Sequence, residues 1–368
     1  MRSETLLPIG KVDPGLRDVP TRLDLLQVPE MAREVEDLGY DGMTSGEIKN
    51  DPYLPLVLAA TSTERIRLTT AVVIAFPRSP TATAMIAWDL QAMSKGRFVL
   101  GLGPQVKGHI ERRYGMPWAP PLPRMRDYIL ALRAVWNSWQ NRVPLDFQSE
   151  HYKLSLMVPL FDPGPIDHPD IPIQLAAVNK GMCQLAGELC QGLRPHPICT
   201  PKYIADVMIP AIRGGATKAG RDLAGFDIVA QPLIATAPTR DLLEARIRDV
   251  RARVSFYAST RTYGEVFRHH GWGALVDELH EYSVKKRWEE MPKMISDEVL
   301  DTIAVIGTHD EIVGKLRQRY GSVVTGLEWG MPIRTPDDRE TLKAAIKELH
   351  RWGPKTTDSP AHMHNGRG

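Results

Sequence analysis

Two rhythms of apolar and polar positions alternate along this 368-residue chain. Short apolar runs rich in β-branched residues end at Gly, Pro or polar clusters, as buried strands do. Each is followed by a stretch in which apolar residues recur every three or four positions, the spacing of an amphipathic helix. The first strand falls at 4–9, and a Pro/Gly-rich loop runs through Pro20. Val28, Met31, Val35 and Leu38 mark a helix at 28–38 that Gly39 stops. A strand at 40–45 leads into the polar loop 46–51, and Pro52 opens the next helix. Residues 66–75 (IRLTTAVVIA) form the strongest strand, broken by Phe76 and Pro77; a helix at 81–94 precedes a strand at Phe98-Val99-Leu100. The fourth crossover helix is 124–139.

The period lapses at 145–158, where alternation suggests a hairpin, and then resumes. Strands are expected at 171–178, 192–195, 226–237 and 323–329, with a short extended piece at 302–306. The helices between them are 181–190, 200–219 (with Pro210 inside it), 241–257, 308–320 and 339–352. Thr308 and Glu311 have the spacing of a capping box. Residues 258–299 lose the period but keep Tyr263, Trp272 and Trp288, which reads as a helical insertion. Eight strand–helix repeats with insertions after strands four and seven predict a (β/α)8 TIM barrel, an α/β fold, occupying residues 1–353 as one domain. An open doubly wound sheet is the alternative, and the polar tail 354–368 is expected to be disordered.

Composition narrows the partners. The 46 Lys+Arg against 44 Asp+Glu leave +2, so no global field points to nucleic acid. No apolar run has the roughly 20 residues that span a bilayer, and the N-terminus lacks a signal-peptide core. Cys183, Cys190 and Cys199 form a sparse odd set without a C-x-x-C pair, which suits free thiols in a cytoplasmic protein.

In a barrel, chemistry sits on loops at the C-terminal ends of the strands, and the unusual residues here lie on such loops. The segment GRFVLGLGPQVKGHIERRY (96–114) runs a strand into glycines and then a cationic helix, a geometry that exposes backbone N–H groups to a phosphate; an ordinary glycine turn is the plainer reading. Gly101-x-Gly103 starts like a dinucleotide fingerprint, but Val106 stands at the third glycine, against a Rossmann dehydrogenase. H-E-x-x-H, G-x-S-x-G and the phosphate-loop lysine motif are missing, and the 11 histidines show no metal spacing, so no metal is expected.

With these residues in view the chain resembles the bacterial luciferase-like flavin superfamily, and within it the branch that uses the deazaflavin coenzyme F420. The likeness covers nearly the whole length and is carried by GYDGMTSGE (39–47), RIRLTTAVVIAFPRSP (65–80), SKGRFVLGLGPQVKGHIERRYGMPW (94–118) and IQLAAVNKGMCQLAGELCQGL (173–193). The resemblance implies a bulge at the end of strand three, with a non-prolyl cis bond at Ala71–Val72, supporting one face of the ring. It implies a phosphate turn at Gly103, Pro104, Gln105, Val106 and Lys107, with His109 beyond it. A second cofactor loop follows at Val178, Asn179, Lys180, Gly181 and Met182. Glu47 stands where related dehydrogenases place an Asp-His pair, with Ile48 in place of the histidine. Val106 replaces the carboxylic acid of the sugar-phosphate dehydrogenases.

The resemblance implies reversible hydride transfer between F420 and an organic partner, here expected to be an apolar carbonyl, alcohol or enone. Glu47 would contact the ring, His109 would move the proton, and Phe76, His196 and the insertion from Tyr257 to Trp288 would line the small-molecule substrate pocket. An FMN-dependent monooxygenase on the same barrel and a non-catalytic flavin-binding barrel are the alternatives. The resemblance also implies a homodimer, without nucleic-acid or membrane partners.

Overall fold

In the computed structural model, residues 1–8 and 23–352 are described, so the loop expected through Pro20 and the tail 354–368 lie largely or wholly outside the described residues. Eight strands make the barrel: β1 (Arg2–Leu6), β2 (Gly42–Ser45), β3 (Arg67–Thr70), β4 (Phe98–Gly103), β5 (Ile173–Ala177), β6 (Gly192–Pro195), β7 (Asp227–Ala230) and β8 (Gly326–Glu328). Each pairs in parallel with the next in chain order. Glu4 of β1 sits opposite Glu328 of β8, and this last pairing closes the sheet, which excludes the open doubly wound alternative.

Amphipathic helices cover the outside. Helix Val28–Leu38 buries Val28, Ala32, Val35 and Leu38 and ends at Gly39, whose φ of +91° only glycine adopts readily. Helices Tyr53–Ala60, Pro80–Met93, Pro121–Asn141, Lys180–Leu189 and Pro336–His350 follow the same logic. The helix expected at 200–219 contains a π-helical turn, Ile204–Met208, immediately before Pro210. Proline cannot donate to the carbonyl four residues back and its ring crowds that carbonyl; widening the preceding turn relieves both problems.

Three expected elements come out differently. The strand at 66–75 breaks at the Ala71–Val72 peptide, which is cis, and only Val73–Ile74 continues alongside β4. The strand at 226–237 is two strands, because Ile234–Ala237 leaves the barrel to pair in parallel with Val305–Thr308. Residues 297–303 are helical where the extended piece was expected to begin at 302. At Thr308 half of the capping box forms: Glu311 accepts from the Thr308 N–H at 3.3 Å, while the helix itself starts at Ile312. Helices Gly264–His269 and Gly273–Val284 fill the segment between, with Phe267, Val276 and Leu279 buried. The excursion after β4 carries the antiparallel pair Phe147–Gln148 and Lys153–Leu154.

The barrel interior is polar. Arg194 of β6 is buried and spans the lumen, meeting Glu328 at 2.9 Å, Gln174 at 2.8 Å and Glu4. Gln231, just beyond β7, donates to the other oxygen of Glu328 at 2.6 Å. Towards the N-terminal ends of the strands Asp227 binds Arg2 and, at 3.0 Å, Arg67. Burial and the neighbouring Glu4 hold the Glu328 carboxyl above the usual carboxylate range, against the pull of Arg194.

Candidate active site

At the C-terminal mouth the ends of β3, β4 and β5 fit together through two glycines. A Cβ on Gly101 would lie 1.8 Å from the Thr70 carbonyl oxygen, and the Thr70 hydroxyl both donates to Gly101 O and accepts from Gly101 N, each at 2.8 Å. A Cβ on Gly103 would lie 2.7 Å from Val72 Cγ2 and 3.7 Å from Ala176 Cβ. Val72 therefore leans from the bulge across Gly103, half-buried, as a ledge between strand ends. Ala71 shares that bulge and is also half-buried.

One wall of the mouth is organised by Glu47, just beyond β2. Its carboxylate accepts from the Ile74 N–H at 2.8 Å, from Arg78 Nη1 at 2.9 and 2.8 Å, and from the Tyr114 hydroxyl at 2.7 Å. Each oxygen has two donors, so the four lone-pair positions of a carboxylate are filled. Arg78 also holds Asp51 at 2.8 Å, and Arg113 reaches the Ile48 carbonyl at 3.1 Å. The loops after β2, β3 and β4 are thereby tied into one piece. Glu47 is thereby an anchor for all three loops, at the place where the catalytic residue was expected. Burial, together with the carboxylate beside its hydroxyl, pushes Tyr114 up to about 12, so it remains a donor.

Beyond β4 the chain turns sharply. Gln105 has a φ of +59°, a strained region for a side chain of its kind, and its Oε1 accepts from the Val106 N–H at 2.9 Å. Pro104 and Val106 flank it, half-buried, and Lys107 and His109 are exposed on the short helix Lys107–Arg112, whose first turn no side chain caps. After the adjacent strand β5, Asn179, Lys180, Gly181 and Met182 open helix Lys180–Leu189, likewise without a side-chain cap. Asn179 instead donates its amide to the Thr262 carbonyl at 3.3 Å, which binds this loop to the inserted segment, and Val178 is half-buried beside it.

The opposite wall is aromatic. His196 follows the last residue of β6, and its N–H donates to the Ala177 carbonyl at 3.1 Å, which sets it directly beside the end of β5. Its ring stacks on Tyr263, centroids 4.1 Å apart, and meets the edge of Tyr257 at 4.8 Å. Burial alone lowers the His196 pKa to about 3. Phe76 lies elsewhere: its ring is 1% exposed beneath the Arg124 guanidinium, 4.5 Å away. It is a core residue, which overturns the expectation that it lines a substrate pocket.

Arg78 and Tyr114 are residues of this mouth that sequence reasoning missed. Arg78 and Tyr114 lie 31 and 67 positions from Glu47, and no local pattern links them. Aromatic content flagged the segment containing Tyr263 but not the ring it would stack on. All three cysteines are buried free thiols. Among the described residues no group of three or more His, Cys, Asp or Glu side chains could hold a metal ion, and no helix is long and apolar enough to cross a membrane.

Comparison with known proteins converges on one family. A family model described as luciferase-like monooxygenase matches residues 11–326. An uncharacterised protein of Mycobacterium tuberculosis is 39% identical over 327 residues, covering 89% of this chain and 95% of its own. A 5,10-methylenetetrahydromethanopterin reductase of Archaeoglobus fulgidus is 28% identical over 342 residues, covering 91% and 98%. Among solved structures, the coenzyme F420 dependent tetrahydromethanopterin reductase of Methanopyrus kandleri superposes with a TM-score of 0.73 at 20% identity, over 96% of this chain and 99% of that one. An F420-dependent secondary alcohol dehydrogenase in complex with an F420-acetone adduct gives a TM-score of 0.67 at 15% identity, over 95% and 98%.

Proposed function

Since the chain belongs to the luciferase-like monooxygenase family and is an oxidoreductase of that kind, we propose that it moves a hydride between F420 and an apolar organic carbonyl, alcohol or enone. The observation that supports this most is the pairing of two unlike walls around the Val72 ledge. One is a polar brace built on Glu47; the other is an aromatic face of His196, Tyr257 and Tyr263.

The residues present suit an anionic, flat cofactor. Two helix N-termini without side-chain caps, each beginning at an exposed lysine, offer N–H groups and positive charge to a phosphorylated tail. Gln105, Lys107 and His109 would hold it from one side, and Asn179, Lys180, Gly181 and Met182 from the other. Bound there, F420 supplies a carbon that gives or takes a hydride and reacts poorly with oxygen. The Val72 ledge would support one face of the ring, and the aromatic wall would press an apolar substrate against the other while excluding water. With Val106 where a carboxylic acid serves the sugar-phosphate enzymes, the reading favours unphosphorylated substrates.

Two structures of the same fold carry F420 in their names, which supports the cofactor choice. Side-by-side titration of the purified protein with F420 and with FMN tests it. Saturable binding of F420 alone, followed by turnover of reduced F420 with a panel of ketones and enones, is the expected result. Tight FMN binding with rapid oxygen uptake on reduction would mark the protein as a monooxygenase instead.

A further inference from the structure

With Glu47 committed to its three donors and His109 exposed on the far side of the Gln105 turn, the aromatic wall holds the mouth's polar group of interest. His196 Nδ1 accepts a hydrogen bond from the Ile198 N–H at 3.3 Å. An imidazole nitrogen that accepts carries no proton, so the hydrogen of the neutral ring resides on Nε2. For Nε2 no hydrogen bond is found among the described residues. Ile198 is fully buried, so exchanging the tautomer would leave its N–H without a partner.

The ring's orientation is fixed as well. Tyr263 lies against one face at 29° between planes, and Tyr257 approaches edge-on at 86°. The groups packed around it are these two phenols and the Cys199 segment, whose N–H bonds to the His196 carbonyl at 2.8 Å. Burial holds the Cys199 thiol and the Tyr263 hydroxyl protonated, Tyr263 being pushed up to about 12. Among the described residues no carboxylate pairs with the imidazole, as happens at His151, His269 and His350.

We propose that His196 recognises the substrate's reacting oxygen, its imidazole fixed in the Nε2–H tautomer and donating a hydrogen bond to the carbonyl or to the alkoxide that hydride transfer creates, while the proton that completes the alcohol comes from solvent water. This deepens the hydride-transfer reading and rests on it. The chemistry selects for a hydrogen-bond acceptor at the reacting carbon. A ketone, aldehyde or enone oxygen satisfies it, whereas a protonated amine or iminium presents only donors and meets no counter-charge on this wall. As negative charge gathers on the oxygen, the fixed donor strengthens its hold, which lowers the barrier without reorganisation.

The test has two arms. In the first, ¹⁵N-histidine NMR of the cofactor-free protein, with H196N supplying the assignment, should show one protonated and one bare ring nitrogen, unchanged from about pH 8 to about pH 5. A doubly protonated or averaging ring in that range overturns the proposal. In the second, H196N, which keeps an N–H donor, and H196F are titrated with F420 and assayed with reduced F420 and ketones. Both should bind F420 within about twofold of wild type; H196F should lose about 100-fold in kcat, and H196N should recover most of that loss. Wild-type turnover in H196F would discard the role of His196 and leave the hydride-transfer reading intact. Failure of the wild-type protein to bind F420 would discard both, whatever the NMR shows about the ring.

Discussion

The Tyr114 hydroxyl donates to Glu47 Oε1 at 2.7 Å, a bond between the loop after β4 and the loop after β2 that completes the saturation of one carboxylate. It converts an acid that sequence places at the site into part of the frame, and stability is the property that should register its loss. Glu47→Gln leaves Arg78 facing a neutral amide and should cost about 2–3 kcal/mol, and Tyr114→Phe about 1 kcal/mol. Urea unfolding of the two variants checks this. A Glu47→Gln protein that melts like wild type yet has lost turnover would restore the carboxylate to a catalytic role.

The two mouth glycines should respond differently to one added methyl. In Gly101→Ala the Cβ meets a backbone carbonyl at 1.8 Å, in the middle of a closed sheet. Nothing there can move, and the variant should fail to accumulate as soluble protein. In Gly103→Ala the obstacle is a methyl of Val72 at 2.7 Å, which can rotate away. That variant should fold at a cost of about 1–3 kcal/mol and bind its cofactor more weakly, because the ledge is displaced. Expression yield, thermal melts and F420 titration distinguish the cases.

Arg194 holds two buried carboxylates at once, so Arg194→Met should destabilise by about 3–5 kcal/mol at neutral pH. The pH dependence has a definite sign. Glu328 is already held above its unfolded range; a carboxyl raised in the folded state favours folding below its unfolded pKa and forfeits that advantage as pH rises through the folded value. Without the guanidinium Glu328 moves further in that direction. The variant should therefore recover part of its deficit near pH 4–5 relative to pH 8 (about the range where carboxylates titrate), read as urea midpoints at each pH.

His196 acts in the opposite sense. Its folded pKa is depressed to about 3, while the unfolded chain takes up a proton around the ordinary histidine value of 6.5. Below that value the unfolded state binds the additional proton, so stability falls as pH drops from 6.5 towards 3. His196→Asn, which cannot titrate, should flatten this acid limb. Matching slopes for wild type and variant would show that the ring is more open to water than its surroundings indicate.

Much of the barrel was legible because its strands announce themselves locally. Phe98–Gly103 and Gly192–Pro195 are short apolar runs between turn residues, and Val28–Leu38 shows its buried face at helical spacing. Legibility failed where distant partners decide the outcome. Residues 226–237 have one continuous strand-forming composition, yet the second half finds its neighbour at Val305–Thr308, and nothing local marks the change of partner. Phe76 is an aromatic residue on a mouth loop like Tyr257, but a guanidinium 48 positions away covers it. The bulge at Ala71–Val72 came from family likeness rather than from the residues, which read as an unbroken strand.

The pairing of Ile234–Ala237 with Val305–Thr308 has a consequence for how such a barrel diversifies. The inserted chain departs and returns through two neighbouring parallel strands set apart from the eight that close the cylinder. Whatever lies between those gateposts can be exchanged for another length or sequence while the staves keep their spacing. Through Tyr257, Thr262 and Tyr263 that interchangeable stretch touches the loops after β5 and β6, so each replacement would recut the aromatic wall around His196 and the support beneath the Asn179 loop together.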